Sequence, residues 1–300
     1  MKSNTILVII VTYNAMPWAE KCFTSLRKSS IPSDVIVVDN GSTDGSQDFI
    51  RTHFPEVELI ENNENLGFGR ANNIGLQKAL DDKYEYAYLL NQDAWILPDT
   101  FEKLIAVSQA HPEYGVLSPM QLKADGQHFE DKFGRNVISR RQEFSPFFID
   151  DMFFQRVGDV YEVSFVMAAH WLIPAKCLRT VGGFSPTFPH YGEDDNYLNR
   201  TNYWKFKIGI VPAAQAIHDR GDNNWSHEKE IYVNDFIGSL VSCSNPLEKE
   251  SLSSKAFLLL KRGIRNREMC LIKYAFRLWR KSSIVDINYK RSLKEMAFLQ

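Results

Sequence analysis

The sequence predicts an α/β fold: a mostly parallel sheet with helices on both faces, followed by a helical C-terminal extension. Three observations lead to that expectation. Strand-type and helix-type segments alternate four times within the first 115 or so residues of a 300-residue chain. The strand-type segments are continuous apolar runs, as expected of strands covered on both sides. From Ser226 onward the pattern is helical.

Residues 6–11 (Ile-Leu-Val-Ile-Ile-Val) read as the first buried strand. Pro17 opens a helix to about residue 28, with Trp18, Cys22, Phe23 and Leu26 spaced along one apolar face. Residues 35–38 form a second strand that ends at Asp39. Ser42-Thr43-Asp44-Gly45 is turn and cap chemistry before a helix at 46–54, with Asp44 as its cap. Residues 57–60 are a third strand. A polar, glycine-bearing loop at 62–69 leads into a helix to about residue 80. Residues 86–90 form a fourth strand, ending at Asn91-Gln92-Asp93, and Pro98 starts the next helix. A fifth strand begins at 115–117. Residues 121–160 show no clear period and read as loops and hairpins over the sheet edge. Further on, 163–169 is expected as a strand, 174–181 as a short helix closed by Gly182-Gly183, 193–200 as a helix, and 206–211 and 214–217 as two strands.

Composition narrows the function. Net charge is −2, which argues against a nucleic-acid partner. The charge is uneven, however: residues 255–300 hold 12 Lys/Arg against 3 Asp/Glu. Cys22, Cys177, Cys243 and Cys270 are far apart and form no C-x-x-C pair, so they are expected as reduced core thiols of a cytoplasmic protein. The apolar run at 6–11 is too short for a signal peptide or a membrane span, and no later run is long enough.

In sheets of this kind ligands bind outside the carboxyl ends of the strands. Those ends carry Thr12 and Asn14, Asp39 and Asn40, and Asn91 and Asp93. A carboxylate such as Asp39 can accept hydrogen bonds from a base imide or a ribose hydroxyl. The 62–69 loop precedes a helix N-terminus, which attracts phosphate. It is neither a Walker loop nor a Rossmann fingerprint. Asp93, exposed at a strand end, suits a Mg²⁺ or Mn²⁺ that bridges a diphosphate, since such an ion takes only one or two protein carboxylates. Each feature also has a purely structural reading as strand-end or helix-start chemistry.

Together the segments V-T-Y-N (11–14), V-V-D-N-G-S-T-D-G-S (37–46), E-N-x-G-F-G-x-A-N-N-x-G (64–75), L-L-N-Q-D (89–93) and G-G-F-S-P-x-F-x-x-Y-G-E-D-D-N (182–196) resemble the family 2 glycosyltransferases with the GT-A, Rossmann-like fold. The wording of the third and fourth is similar to the rhamnosyltransferase-like branch. The resemblance covers roughly residues 5–220. It implies a catalytic domain at 1–225, with a nucleotide-sugar half at 1–119 and an acceptor half at 120–225, and a basic helical extension at 226–300.

The resemblance also implies roles. Thr12, Asn14 and Asp39 hold the nucleoside, with Asn40, Asn65, Asn72 and Asn91 in the donor set. Gly67, Gly69 and their loop approach the ribose and phosphates. Asp93 fills the last position of the family's D-x-D motif and coordinates a divalent metal, Mg²⁺ or Mn²⁺. Asn91 stands at the first position in place of Asp, so less negative charge offsets the cation. His218 stands where many members supply a further metal ligand. Asp194 is expected as the base that takes a proton from the acceptor hydroxyl, with Glu193 as the alternative. Asn196 cannot ionise. Trp171 reads either as a platform for a sugar or as a core residue.

The expected reaction is inverting transfer of one sugar from dTDP-rhamnose or a UDP-sugar to a glycan or lipid-linked glycan, in surface-polysaccharide assembly. The Q-x-x-R-W motif of processive synthases is absent. A sugar nucleotidyltransferase would open with a glycine- and Arg/Lys-rich loop where V-T-Y-N stands. A glycoside hydrolase needs paired carboxylates but no nucleotide half. A degenerate sugar-nucleotide-binding module is the non-enzymatic alternative. In the tail, Phe257, Leu260, Ile264, Leu271, Ala275 and Leu278 keep helical spacing among Lys261, Arg262, Arg265, Arg267, Lys273, Arg277 and Arg280. That pattern fits peripheral contact with the inner face of the cell membrane, and equally a cap packed on the catalytic domain or a homodimer surface.

Overall fold

The computed structural model describes residues 4–135, 148–221 and 225–299. Strand β1 (Ile6–Thr12) lies between β2 (Asp34–Asp39) and β4 (Tyr86–Asn91), parallel to both, and β3 (Glu58–Glu61) continues beyond β2. Parallel neighbours need crossover connections, and helices α1 (Ala19–Arg27), α2 (Ser46–His53) and α3 (Phe68–Asp81) provide them. Ile6, Val8 and Ile10 face one core, with Cys22 and Phe23 of α1. Leu7 and Ile9 face the other, with Leu76 and Ala79 of α3. Burial on both sides is why β1 reads as an unbroken apolar run. The register pairs Thr12 with Asp39 and Val11 with Asn91, so the polar ends of three strands stand level.

The rest of the sheet is mixed. In chain order come β5 (Ala94–Ile96), helix α4 (Thr100–Ala110), β6 (Tyr114–Leu122), the short helices α5 (Asp131–Phe133) and α6 (Phe148–Phe153), β7 (Tyr161–Glu162), β8 (His170–Pro174), α7 (Ala175–Val181), α8 (Glu193–Tyr203) and β9 (Lys207–His218). The strands lie in the order β3-β2-β1-β4-β8-β6-β9-β5, and β7 pairs with β9. Strand β8 runs antiparallel to both β4 and β6.

Several expectations shift here. The strand expected at 163–169 lies a few residues later, at β8, and Pro174 ends that strand instead of opening a helix. The two strands expected at 206–217 are one, β9, which carries an irregularity where its register on β6 jumps from Val211 to Gln215. Strand β5, three residues long, had no sequence signal. In the segment read as loops and hairpins, α5 and α6 appear, with β7 just beyond it, while residues 136–147 lie outside the described residues.

C-terminal to the sheet stand α9 (His227–Ile231), a π-helical turn (Tyr232–Ile237), α10 (Gly238–Ser244), α11 (Leu252–Asn266) and α12 (Met269–Ser292). They share a core of their own that includes Phe236, Leu240, Leu259, Leu271 and Leu278, with Phe188 reaching in from the segment before α8. Of the expected apolar stripe, Leu271, Ala275 and Leu278 are buried, whereas Phe257 and Ile264 are exposed. Among the described residues no helix is long and apolar enough to cross a membrane. The four cysteines are free thiols, three of them buried.

After α12 the chain returns to the sheet domain. Gly183 N–H donates to the Ala297 carbonyl (2.8 Å), Met296 N–H donates to the Arg179 carbonyl (3.2 Å), and Leu299 joins the main core beside Phe184. Arg200 of α8, fully buried, ties the same region together. Its guanidinium donates to the carbonyls of Val181 and Gly183 and lies between the rings of Tyr197 (5.2 Å) and Phe298 (5.1 Å). Burial lowers its pKa to about 10, which leaves it charged at neutral pH. Gly182 has φ +83° and sits directly against the Ala297 backbone. Gly182→Ala is therefore expected to cost roughly 2–4 kcal/mol, from the strained φ and the collision together. Urea unfolding of the two proteins measures it.

Candidate active site

At the strand ends, Asp39 is buried and its carboxylate is occupied by protein groups. Oδ1 accepts from Gly41 N–H (3.1 Å), Ser42 N–H (2.8 Å) and Gln47 Nε2 (2.6 Å), and Oδ2 accepts from the hydroxyls of Thr12 (2.7 Å) and Ser42 (2.5 Å). Burial opposes the charge, but the donors from Ser42, Gln47 and Thr12 outweigh it, so the carboxyl stays below the ordinary carboxylate range. Asn14 takes the left-handed conformation (φ 54°), which Asn tolerates better than most residues. Its N–H donates to Ser42 Oγ and its Oδ1 accepts from Thr43 N–H. Asp44 accepts from Ser46 N–H and Met16 N–H, holding the start of α2 to the loop after β1. Thr12, Asn14 and Asp39 thus form one braced turn.

The glycine-bearing loop is packed against the segment before α8. A Cβ on Gly67 would meet the Pro189 carbonyl, and one on Gly69 would come to 2.9 Å from Phe184 Cβ. The close approach present in the structure is therefore of the start of α3 to the segment before α8. Asn65 Oδ1 accepts from Gly67 N–H, Asn40 Oδ1 accepts from Leu66 N–H (3.3 Å), and buried Asn72 donates to the Phe68 carbonyl within α3. None of these side chains lines the cleft described next.

That cleft, of about 490 Å³, brings together Asn91, Asp93, His218, Glu193 and Asp194. Strand β5 is responsible for one wall. It pairs Ala94 with His218, and Asp219 N–H donates to the Asp93 carbonyl (2.8 Å), so His218 Nε2 lies 3.6 Å from Asp93 Oδ1. Burial raises the Asp93 pKa, but His218, a backbone N–H and Arg220 together outweigh it, and the carboxyl lies below the ordinary carboxylate range. Asn91 Oδ1 and His218 Nδ1 are buried with no hydrogen-bond partner among the described residues. Gln92 links this wall to the turn that holds Thr12, Asn14 and Asp39 through two hydrogen bonds with the backbone of Tyr13.

Another wall is the first turn of α8. Gly192 caps it with φ +83°, and a side chain there would collide with Ile237, Phe188 and Val241. Glu193 is buried and its Oε2 has no partner among the described residues. Asp194 is half-buried, and Ala168 N–H holds its Oδ2 (3.2 Å). Burial, followed by repulsion from Asp194, pushes Glu193 up to about 8. Burial also raises Asp194. Both carboxyls are thus pushed up, and the pair holds a proton more readily than two exposed carboxylates would.

The folded-state pKa of Glu193 exceeds its unfolded value, so native protein binds more protons and stability falls as pH rises between about 4.5 and 8. Glu193→Gln removes that penalty. It is expected to raise Tm by at least ~3 °C at pH 8.5, with the gain shrinking toward pH 5, in calorimetric scans.

Trp171 is a core residue, fully buried and packed against Phe184 (6.2 Å) and Tyr197 (5.6 Å), and it offers no platform to a sugar. Its neighbour His170 is also buried. Nδ1 accepts from the Tyr88 hydroxyl and Nε2–H donates to the Ile217 carbonyl, and burial lowers its pKa to about 3. Asn196 is buried and donates to the Ser244 carbonyl (3.4 Å). Sequence reasoning missed the cleft residues Lys132, Arg220 and Trp225. Only Arg220 had a signal, its place two residues beyond His218.

The model of the family described as Glycosyl transferase family 2 matches residues 7–169. The N-acetylglucosaminyl-diphospho-decaprenol L-rhamnosyltransferase of Mycobacterium tuberculosis is 24% identical over 257 residues, covering 77% of this chain and 84% of the relative. The low-salt glycan biosynthesis hexosyltransferase Agl10 of Haloferax volcanii is 22% identical over 84% of this chain and 81% of its own length. Among solved structures, S. aureus TarS 1–349 in complex with UDP overlays 84% of this chain and 68% of its own, with a TM-score of 0.55 at 18% identity. The mannosyltransferase PcManGT from Pyrobaculum calidifontis, in complex with GDP-Man and Mn²⁺, overlays 95% and 76% with a TM-score of 0.55 at 15% identity. The fold is GT-A, and with more than half of its length matched by the family model, this chain belongs to glycosyl transferase family 2.

Proposed function

We propose that the protein is an inverting, metal-assisted glycosyltransferase that moves one sugar from a nucleoside diphosphate donor, dTDP-rhamnose or a UDP-sugar, to a lipid-linked glycan. One observation carries the reading: Asp93 and His218 line a single cleft together with Glu193 and Asp194. The Mycobacterium relative, whose name specifies rhamnose transfer to a diphospho-linked lipid sugar, supports the acceptor class.

The residues fit a divalent cation held jointly with a ligand. Among the described residues no three His, Cys, Asp or Glu side chains converge as a ready metal site. Asp93 and His218 offer two donors, and Asn91 Oδ1 adds an unpartnered oxygen. Their 3.6 Å separation is near the ~3 Å between adjacent ligands of an octahedral ion, and a diphosphate and water would complete the shell. Such an ion supplies charge that stabilises a leaving diphosphate.

The protein's own groups supply the rest. Ala168 N–H fixes one oxygen of Asp194, and the carboxylate accepts the proton of an acceptor hydroxyl as that oxygen attacks the anomeric carbon. The bond to the diphosphate breaks on the opposite face, and the sugar's configuration inverts. Neutral Glu193 keeps a second negative charge away from the base. Thr12, Asn14, Asp39 and Asn40 shape the nucleoside end.

The test is a thermal-shift screen of dTDP- and UDP-sugars with and without Mn²⁺, followed by NMR of the product's anomeric centre. A shift of several degrees that requires Mn²⁺, with an inverted product, is expected. A retained configuration, or no shift with any nucleotide sugar, overturns the reading.

Peripheral membrane contact belongs to the same proposal. Phe257, Ile264, Met269, Phe276 and Ile287 are exposed on α11 and α12, among Lys261, Arg265, Lys273 and Arg280. Apolar side chains set among cations suit an anionic bilayer surface. Co-sedimentation with phosphatidylglycerol vesicles tests it, and a protein that stays in the supernatant contradicts it.

A further inference from the structure

The cleft has a third set of groups that the transfer chemistry leaves unused. Lys132 at α5 and Arg220 beyond β9 line it, together with Trp225 just before α9. Lys132 Nζ lies 4.2 Å from the Trp225 ring centroid. Lys229 of α9 is 5.4 Å from the same ring and 5.4 Å from that of Tyr191. The rings of Tyr191 and Trp225 meet edge to face at 5.6 Å. Two cations thus lie over one indole, and of them Lys132 lines the cleft together with Arg220. Among the described residues, no acid lies within ion-pair distance of Lys132, Arg220 or Lys229.

Assembling like charges in a partly buried place is unfavourable, and here the cleft acids offset it only from beyond ion-pair distance: Lys132 and Arg220 act on Asp194, and Arg220 also on Asp93. The cost registers on Lys132, whose pKa falls to about 8 through burial and the nearby Arg220 and Lys229, with Glu130 opposing. His190 is lowered by burial and by Lys229 and Arg220. The indole Nε1–H of Trp225 is itself buried with no acceptor. Lys132, Arg220, Lys229 and Trp225 therefore present donors alone. The complementary ligand is an anion with several acceptor oxygens and more than one negative charge, which describes a phosphate or diphosphate better than a carboxylate.

We propose that Lys132, Arg220, Lys229 and Trp225 form a subsite for a phosphate or diphosphate group carried by the acceptor. The inference rests on the glycosyltransferase reading for the word acceptor, while the anion site stands on the cluster alone. Its place argues for the acceptor. Lys132 acts on Asp194 and not on Asp93, whereas Arg220, two residues beyond His218, acts on both and stands between the cluster and the place of the donor diphosphate at Asp93 and His218. An acceptor anchored here by its phosphate would present its sugar hydroxyl toward Asp194.

The experiment is calorimetric titration of the full chain with geranyl diphosphate, with geraniol as the uncharged control, alone and with saturating UDP or dTDP plus Mn²⁺. Wild type is expected to bind the diphosphate and to retain that binding when the nucleotide is present. Lys132→Gln and Lys229→Gln should each weaken it at least 5-fold, and the double variant at least 30-fold, while Lys132→Arg restores it. Nucleotide affinity should not change. Unaltered binding by the double variant overturns the proposal. So does displacement by nucleotide and Mn²⁺, which would assign the cluster to the donor diphosphate. If neither nucleotide binds, the glycosyltransferase reading fails, and the geranyl diphosphate titration still decides the anion site.

Discussion

Asp194→Asn is expected to lower kcat by roughly 10³-fold, the scale of a general base, while nucleotide affinity stays within about twofold of wild type. The substitution keeps the size of the side chain and the Ala168 N–H contact but removes the capacity to accept a proton. Glu193→Gln is the control that separates the pair. Glu193 carries its proton at neutral pH, so an amide there replaces one neutral group with another, and kcat should change far less. The pH profile adds a second readout. Because burial raises Asp194, the acid limb of kcat/KM in wild type should lie above the ordinary carboxylate range near ~4. If Asp194→Asn retains wild-type turnover, another group takes the proton.

The second large effect is expected from Asp93→Ala. It removes the ionised carboxylate on the donor wall and leaves His218 and Asn91, both uncharged ligands when they bind a cation. Mn²⁺-dependent nucleotide binding should weaken at least ~10²-fold, because charge on the ligand set dominates affinity for a hard cation. His218→Ala should weaken it less, since the Asp93 charge remains. Thermal shift with UDP or dTDP, titrated with Mn²⁺, measures both. An Asp93→Ala protein whose nucleotide shift still depends on Mn²⁺ would remove Asp93 from the metal's ligands.

Much of the fold can be read from local patterns because the central strands bury both faces. An unbroken β-branched run such as Ile6 to Val11 fits little besides a strand covered on both sides. The polar residues that end those runs were legible for the same reason. Strand β8 was misplaced because the apolar residues before it resemble a strand, while the true strand opens on a polar histidine that hides between Tyr88 and Ile217. Strand β5 is too short to show a period, yet its pairing brings His218 to Asp93. On α11 and α12 the helical spacing was plain, but which face is covered depends on packing between helices. Lys132, Arg220 and Trp225 come from two separated segments, and no local pattern announces that they converge.

The tail that folds back after α12 also sets an order of events. Leu299 completes the core beneath Phe184, and the backbone at Ala297 closes over Gly182 and Gly183. Those glycines hold the same stretch of chain that Arg200 grips from the helix bearing Glu193 and Asp194. On the ribosome β1 to β4 emerge first and can pair early. The acid-bearing helix, by contrast, waits for residues made about a hundred positions later. A nascent chain can therefore pair its first strands well before the helix bearing Glu193 and Asp194 gains the contacts that the tail supplies.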